Sequence, residues 1–156
     1  MGIANTSGRC SQPKTFSNMT PRDTRTGGVL EEMILPALGR GGYAYKTQEV
    51  VGTRFNGGRH VVDALAEKNG RRLLISLKWQ QVNGTAEQKV PYEAMCLIRE
   101  MQTGKYAAAY LVLGGEAWTL RDFYTSLNFK RHLSDGYLVE VLTLEAFVAR
   151  ANRGEL

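Results

Sequence analysis

Two apolar runs joined by a Lys68-Asn69-Gly70 turn constrain this chain more than any other feature. Arg59-His60-Val61-Val62-Asp63-Ala64 reads as one strand and Arg72 to Gln80 as the next, and a turn of that chemistry connects consecutive strands. Along the second run Leu73, Ile75, Leu77 and Trp79 alternate with Leu74, Ser76, Lys78 and Gln80. A period of two therefore sends Ser76, Lys78 and Gln80 to one face. A hairpin register lets Asp63 share that face with Lys78, which puts an acid and a lysine side by side at a sheet edge.

Such a pair has a definite chemistry. A magnesium ion prefers hard carboxylate and carbonyl oxygens and keeps several of its waters. Set against a phosphodiester it polarises the phosphoryl oxygen, lowers the pKa of a bound water and steadies the leaving oxygen. A lysine beside it positions the water or offsets charge in the transition state. The expectation is a metal-dependent phosphodiester hydrolase, and a second carboxylate must complete the site.

Composition narrows the alternatives. At 156 residues one domain is expected. No apolar run reaches the roughly 18 residues of a membrane helix, and the N-terminus lacks a basic-then-apolar leader pattern. A soluble protein of the reducing cytoplasm, with no membrane contact, is the expectation. Cys10 and Cys96, with His60 and His132, make no metal-ligand spacing, which argues against a structural zinc site. The formal net charge of +5 matches a polyanionic partner. Much of it sits in residues 1–26, where Arg9, Lys14, Arg22 and Arg25 face Asp23 alone in a polar, Ser/Thr/Asn-rich stretch. That stretch reads either as a disordered tail or as an arm that wraps DNA or a partner subunit, with the domain proper over 27–156.

The rest reads as an α/β series. Val29, Leu30, Met33, Ile34 and Leu38 give a first helix from Gly28 to Leu38, and Tyr43 to Val51 a strand that leads to the two strands above. Thr85-Ala86-Glu87-Gln88 reads as a capping box for a helix to about Met101. Tyr106 to Leu113 is a buried strand, Thr119 opens a helix with Leu120, Phe123, Tyr124 and Leu127 on one stripe, Leu138 to Leu142 is a strand, and Thr143 caps a last helix. The order is α-β-β-β-α-β followed by α-β-α.

That order, with Val62-Asp63 in the place of a Pro-Asp motif and Ser76-Leu77-Lys78 in the place of an (Asp/Glu)-X-Lys motif, resembles the PD-(D/E)XK nuclease superfamily. The resemblance covers the core from about residue 28 to 113 and implies a restriction-endonuclease-like fold with a central mixed sheet. It also implies Mg2+ as cofactor, with Mn2+ able to substitute. Ser76 departs from the pattern, which calls for Asp or Glu there. A subgroup of restriction endonucleases resembles this arrangement, with serine in the strand and the missing glutamate moved to the following helix. Glu93 stands at about the right distance for that role. Glu87, in the first turn and within the stripe of Val90, Ala94, Leu97 and Met101, is the competitor.

The expected metal ligands are thus Asp63 with Glu93 or Glu87, Lys78 orients the attacking water, and Glu32 or Glu31 acts behind them or on a second ion. Arg54, Gln80, Lys89, Lys130 and Arg131 are the DNA-contact candidates. His60, at an odd offset from Asp63, is expected on the opposite face as a structural residue or a DNA contact. The resemblance implies an endonuclease on double-stranded DNA, sequence-specific in the restriction or homing manner, working as a homodimer or higher symmetric assembly because one short chain carries one site. A Holliday-junction resolvase or repair nuclease on the same core, and a catalytically inactive DNA-binding module, are the competing expectations.

Overall fold

The Lys68-Asn69-Gly70-Arg71 turn is what sets the register of the sheet. Asn69 and Gly70 both take positive φ, +53° and +75°, and Lys68 pairs with Arg71 across them. This is the two-residue hairpin geometry that Asn-Gly favours, because its backbone twist matches that of the strands it joins. In the computed structural model, which describes residues 24–156, the turn links β2 (Arg59–Lys68) to β3 (Arg71–Trp79). Before them comes β1 (Ala44–Thr53), and β4 (Ala108–Gly114) and β5 (Val139–Thr143) follow. The sheet runs β1-β2-β3-β4-β5, antiparallel through β3 and parallel thereafter. It is a mixed sheet of the expected order.

Each parallel step needs a crossover. The first is α3 (Ala86–Met101), and the second carries the short helices α4 (Arg121–Tyr124) and α5 (Leu127–Arg131). Both pack on one face of the sheet, with Leu74, Val90, Leu97, Leu111, Phe129 and Val141 in one apolar cluster. On the other face lie α1 (Thr24–Val29), a π-helical turn (Leu30–Ile34), α2 (Leu35–Arg40) and α6 (Leu144–Asn152). There Ile34, Leu38, Ile75, Val112 and Phe147 form a second cluster. Covered on both sides, Leu73 to Leu77 are all buried, and so is nearly all of β4.

Three local expectations need correction. The first helix begins at Thr24 and widens into the π-helical turn, where Leu35 donates its N–H to Leu30 O. Pro36 explains the widening, since it has no N–H to donate and its ring crowds the carbonyl four residues earlier. The wider turn shifts the helical phase, and Met33, expected in the core, is 41% exposed. The single helix expected from Thr119 is instead α4 and α5, divided where Ser126 caps α5 by accepting from Asn128 N–H. Leu127 is left exposed on the surface. Thr85 makes no side-chain cap to α3, so the capping box does not form, whereas Thr143 caps α6 by accepting from Ala146 N–H at 3.2 Å. Residues 1–23, which hold nearly all of the basic arm, lie outside the described residues, and the described chain is helical from Thr24.

Among the described residues no helix is long and apolar enough to cross a membrane.

Candidate active site

The site begins where two paired strands part. Pairing between β2 and β3 runs from Lys68↔Arg71 to Ala64↔Ile75 and goes no further, while β3 continues beside β4 through Ser76, Leu77 and Lys78. At the parting point the Leu77 N–H has lost its carbonyl partner on β2. The Asp63 carboxylate takes its place, accepting from Leu77 N at 2.6 Å. The side chain of Asp63 is thereby held at the fork by the same hydrogen bond that satisfies the strand.

A second irregularity turns the far end of β2. Opposite Asp63, between the pairs Thr47↔Ala64 and Glu49↔Val62, Gln48 adopts φ of +53°. Strict alternation is lost there: Ala64 and Ala66 pack on the α2 and α6 side, and Val62, two residues earlier, packs with α3. His60 follows Val62 to that side and is fully buried. The expectation that an odd offset keeps His60 away from the site is therefore overturned: it sits beside the register shift between Val50 and Gly52 of β1, and its Nε2 reaches Glu93.

Glu93 stands at the centre of what results. Helix α3 presents it inward with Val90, Ala94 and Leu97, and it is 2% exposed. Its Oε1 accepts from His60 Nε2 and from Ser76 Oγ, each at 3.0 Å. Its Oε2 lies 2.9 Å from Arg54 Nη1 and 3.6 Å from Lys78 Nζ. Lys78 also donates to Ser76 Oγ at 3.2 Å. Ser76, set where an acid is usual, thus acts as a bridge between Lys78 and the helix-borne carboxylate.

The two carboxyl groups are shifted in opposite directions. Burial pushes the Glu93 carboxyl up, but the hydrogen bond from His60 and the charges of Lys78 and Arg54 outweigh it, holding the group down at about 2. Asp63 goes the other way. Burial raises it above the ordinary carboxylate value, the Glu93 charge adds to the rise, and the Leu77 N–H and the Lys78 charge only partly offset it. An added cation beside Asp63 would relieve that strain.

The remaining candidates fall elsewhere. Glu87 Oε1 accepts from the backbone N–H of Thr119 and of Leu120, so it anchors the segment leading into α4. Gln80 is 5% exposed, donates to Ala117 O at 2.7 Å and accepts from Glu87 N, which ties the end of β3 to that same segment. Glu31 and Glu32 are exposed on the π-helical turn, and among the described residues neither forms a hydrogen bond or ion pair with Asp63, Lys78 or Glu93. Lys89 and Arg131 are exposed and Lys130 is half-buried. Arg54, considered for phosphate, has its guanidinium on Glu93 while remaining a quarter exposed. Replacing Glu87 by alanine is expected to lower stability by about 0.5–2 kcal/mol, the usual cost of losing a cap. Thermal denaturation measures that loss, and a fall in cleavage larger than the loss of folded protein would show that Glu87 serves the site after all.

Sequence reasoning missed Glu100 altogether. It is 5% exposed, its Oε1 lies 3.7 Å from His60 Nδ1, and its carboxylate fills the space that a Cβ at Gly52 would need. The available signal was the seven-residue spacing from Glu93, which places two acids on one helix face two turns apart.

A family model for a PD-(D/E)XK nuclease superfamily domain matches residues 22–155, and the chain belongs to that superfamily. Among solved structures it is similar to a protein of unknown function, AF1548, with 16% identity and a TM-score of 0.45 over 70% of this chain and 54% of that one. It is also similar to the small subunit of the heterodimeric restriction endonuclease R.BspD6I, with 19% identity and a TM-score of 0.35 over 72% of this chain and 61% of that one. The chain thus spans only a little over half the length of either. No curated protein matches it.

Proposed function

We propose that this domain is a magnesium-dependent endonuclease that hydrolyses phosphodiester bonds of double-stranded DNA in the sequence-specific manner of restriction or homing enzymes. The observation that carries the proposal is the meeting of Asp63, Ser76, Lys78 and Glu93 at the fork between β2 and β3. Membership of the nuclease superfamily supports the enzyme reading.

The donor set fits a hard dication. Asp63 and Glu93 offer carboxylate oxygens, the donor type such an ion prefers. Among the described residues no three His, Cys, Asp or Glu side chains gather as a ready cage, so water and backbone oxygens would complete the shell. Magnesium held there would polarise the phosphoryl oxygen and acidify a water. The chain's own groups do the rest. Lys78, one-fifth exposed, points its ammonium to the same spot, where it orients the attacking water and offsets charge on the phosphoryl oxygens. Ser76 and His60 fix the Glu93 carboxylate from behind, so it does not rotate away during the reaction. Arg54 shares Glu93 Oε2 and is exposed enough to reach a phosphate, and Lys89, Lys130 and Arg131 supply further backbone contacts. Two copies, each contributing one site, would cut the two strands.

Incubation with plasmid DNA and magnesium, followed by sequencing of the ends, tests this reading. Discrete fragments, absent in chelator and restored by magnesium or manganese, are expected. A smear would make the enzyme nonspecific, preference for a four-way junction would make it a resolvase, and binding without any cleavage in either metal would leave an inactive DNA-binding module.

A further inference from the structure

We propose that the cavity beside the β1–β2 loop is a nucleobase pocket. It receives one unpaired base of a DNA strand whose phosphate lies at the Asp63, Lys78 and Glu93 cluster, and so it rests on the nuclease reading above. The loop joins the two places directly. Arg54 turns into the cluster and reaches Glu93, whereas the next residue, Phe55, lines a cavity of about 450 Å³ on the outer side of α3. That volume falls within the roughly 300–1,000 Å³ of small-molecule sites. Met95, Arg99, Gln102, His132 and Leu133 supply its other walls. Arg99 follows Glu93 by six residues, about 9 Å along the helix axis and roughly a third of a turn around it.

The lining is that of a stacking site for an anionic chain. Phe55, in the lining, is 53% exposed, and Tyr92, next to it but outside the lining, is 38% exposed. They meet edge to face at 6.2 Å between centroids. Each carries a guanidinium over it, Arg99 at 5.1 Å from the Phe55 ring and Arg54 at 5.9 Å from the Tyr92 ring. Open aromatic faces accept any base by stacking, and the guanidinium planes both extend the stack and attract the phosphates. Charge complementarity favours a nucleic acid over a protein partner. Arg99 is the cation in the lining, Glu100 is turned inward to His60, and Asp135 is engaged by the Gln102 amide at 2.8 Å. An unpaired base is the occupant that matches both the exposed Phe55 ring and the Arg99 guanidinium beside it.

The test is binding of the full chain, without divalent metal, to three fluorescein-labelled 30-base-pair probes: a fully paired duplex, the same duplex with a central five-base bubble, and that bubble with abasic sites in place of its bases. The wild-type chain is expected to bind the bubble about tenfold more tightly than the abasic bubble, in line with the stacking of one base on an aromatic ring. Phe55→Ala should erase that difference and leave the paired duplex within about twofold, and Phe55→Trp should restore it. Equal binding of bubble and abasic bubble by the wild-type chain overturns the proposal, and it needs no variant to be read. A Phe55→Ala loss shared equally by all three probes overturns it too, as does a change in sedimentation with base dependence intact, which would make the cavity an interface between copies. The nuclease reading fails separately: a chain that discriminates the probes and cuts nothing in magnesium keeps the pocket and loses the enzyme.

Discussion

Glu93→Ala is expected to abolish DNA cleavage and to destabilise the domain in the same step. The carboxylate is the common partner of His60, Ser76, Arg54 and Lys78, and His60 is fully buried with no water to replace what it loses. Removing one partner from a buried charge network costs about 3–5 kcal/mol, since the others remain desolvated and unpaired. The loss of activity should be on the order of 10³-fold or more, because both the oxygen donor and the anchor of Lys78 disappear. Cleavage assays on the folded fraction, together with chemical denaturation, separate the two effects. A stable Glu93→Ala protein would show that the network contributes little to the fold, and a cleaving one would remove Glu93 from the reaction.

The same residue gives the domain its expected acid sensitivity. Its folded carboxyl lies at about 2 against an ordinary 4.5, so the folded state binds its proton later than the unfolded chain. The stabilisation is complete above about pH 4.5 and is lost as pH falls towards 2. By linkage it amounts to about 3 kcal/mol. Asp63 works in the opposite sense: with its folded carboxyl raised, its contribution is present at low pH and is lost as pH climbs through the raised value. Glu93→Gln should flatten the acid limb of the stability profile, and an unchanged limb would assign acid unfolding to other carboxylates.

Lys78→Ala is the second large effect, and it should fall on activity alone. The side chain is 20% exposed, and its loss leaves Glu93 with Arg54, His60 and Ser76. Stability should therefore change by less than about 1 kcal/mol, as for a partly exposed ion pair. Cleavage should drop about 10²–10³-fold, the usual effect of removing one group that stabilises transition-state charge. The residual reaction should also show a pH–rate profile whose acid limb moves to higher pH, because the Lys78 charge lowers both Asp63 and Glu93. Full activity in Lys78→Ala, or an acid limb that does not move, would exclude the ammonium from the chemistry.

Much of the architecture is visible in local pattern. The alternation from Leu73 to Gln80 and the Asn69-Gly70 turn specify a hairpin and its faces, since side-chain period and turn geometry depend on neighbours a few residues apart. The continuous apolar run at Ala109 to Leu113 likewise marks a strand covered on both sides. The same local logic fails where a neighbouring strand intervenes. Nothing within β2 announces that His60 turns to the α3 side, next to irregularities of the neighbouring strand at Gln48 and between Val50 and Gly52. The wheel of α3 gives no reason to prefer Glu93 to Glu87. The decision lies in what each carboxylate meets: Ser76, His60 and Arg54 for one, Thr119 and Leu120 for the other.

By itself, then, the sequence determined the series of elements, the faces of β3 and the presence of an acid and a lysine near one sheet edge. Only the tertiary structure decided that β2 leaves β3 at Asp63, that Glu93 is the carboxylate at the fork, and that Arg54, His60 and Ser76 hold it there. The physical reason is chain distance. Those contacts join residues 17 to 39 positions apart, from the β1–β2 loop, β2 and β3 to the crossover helix, and their geometry exists only once that helix packs on the sheet.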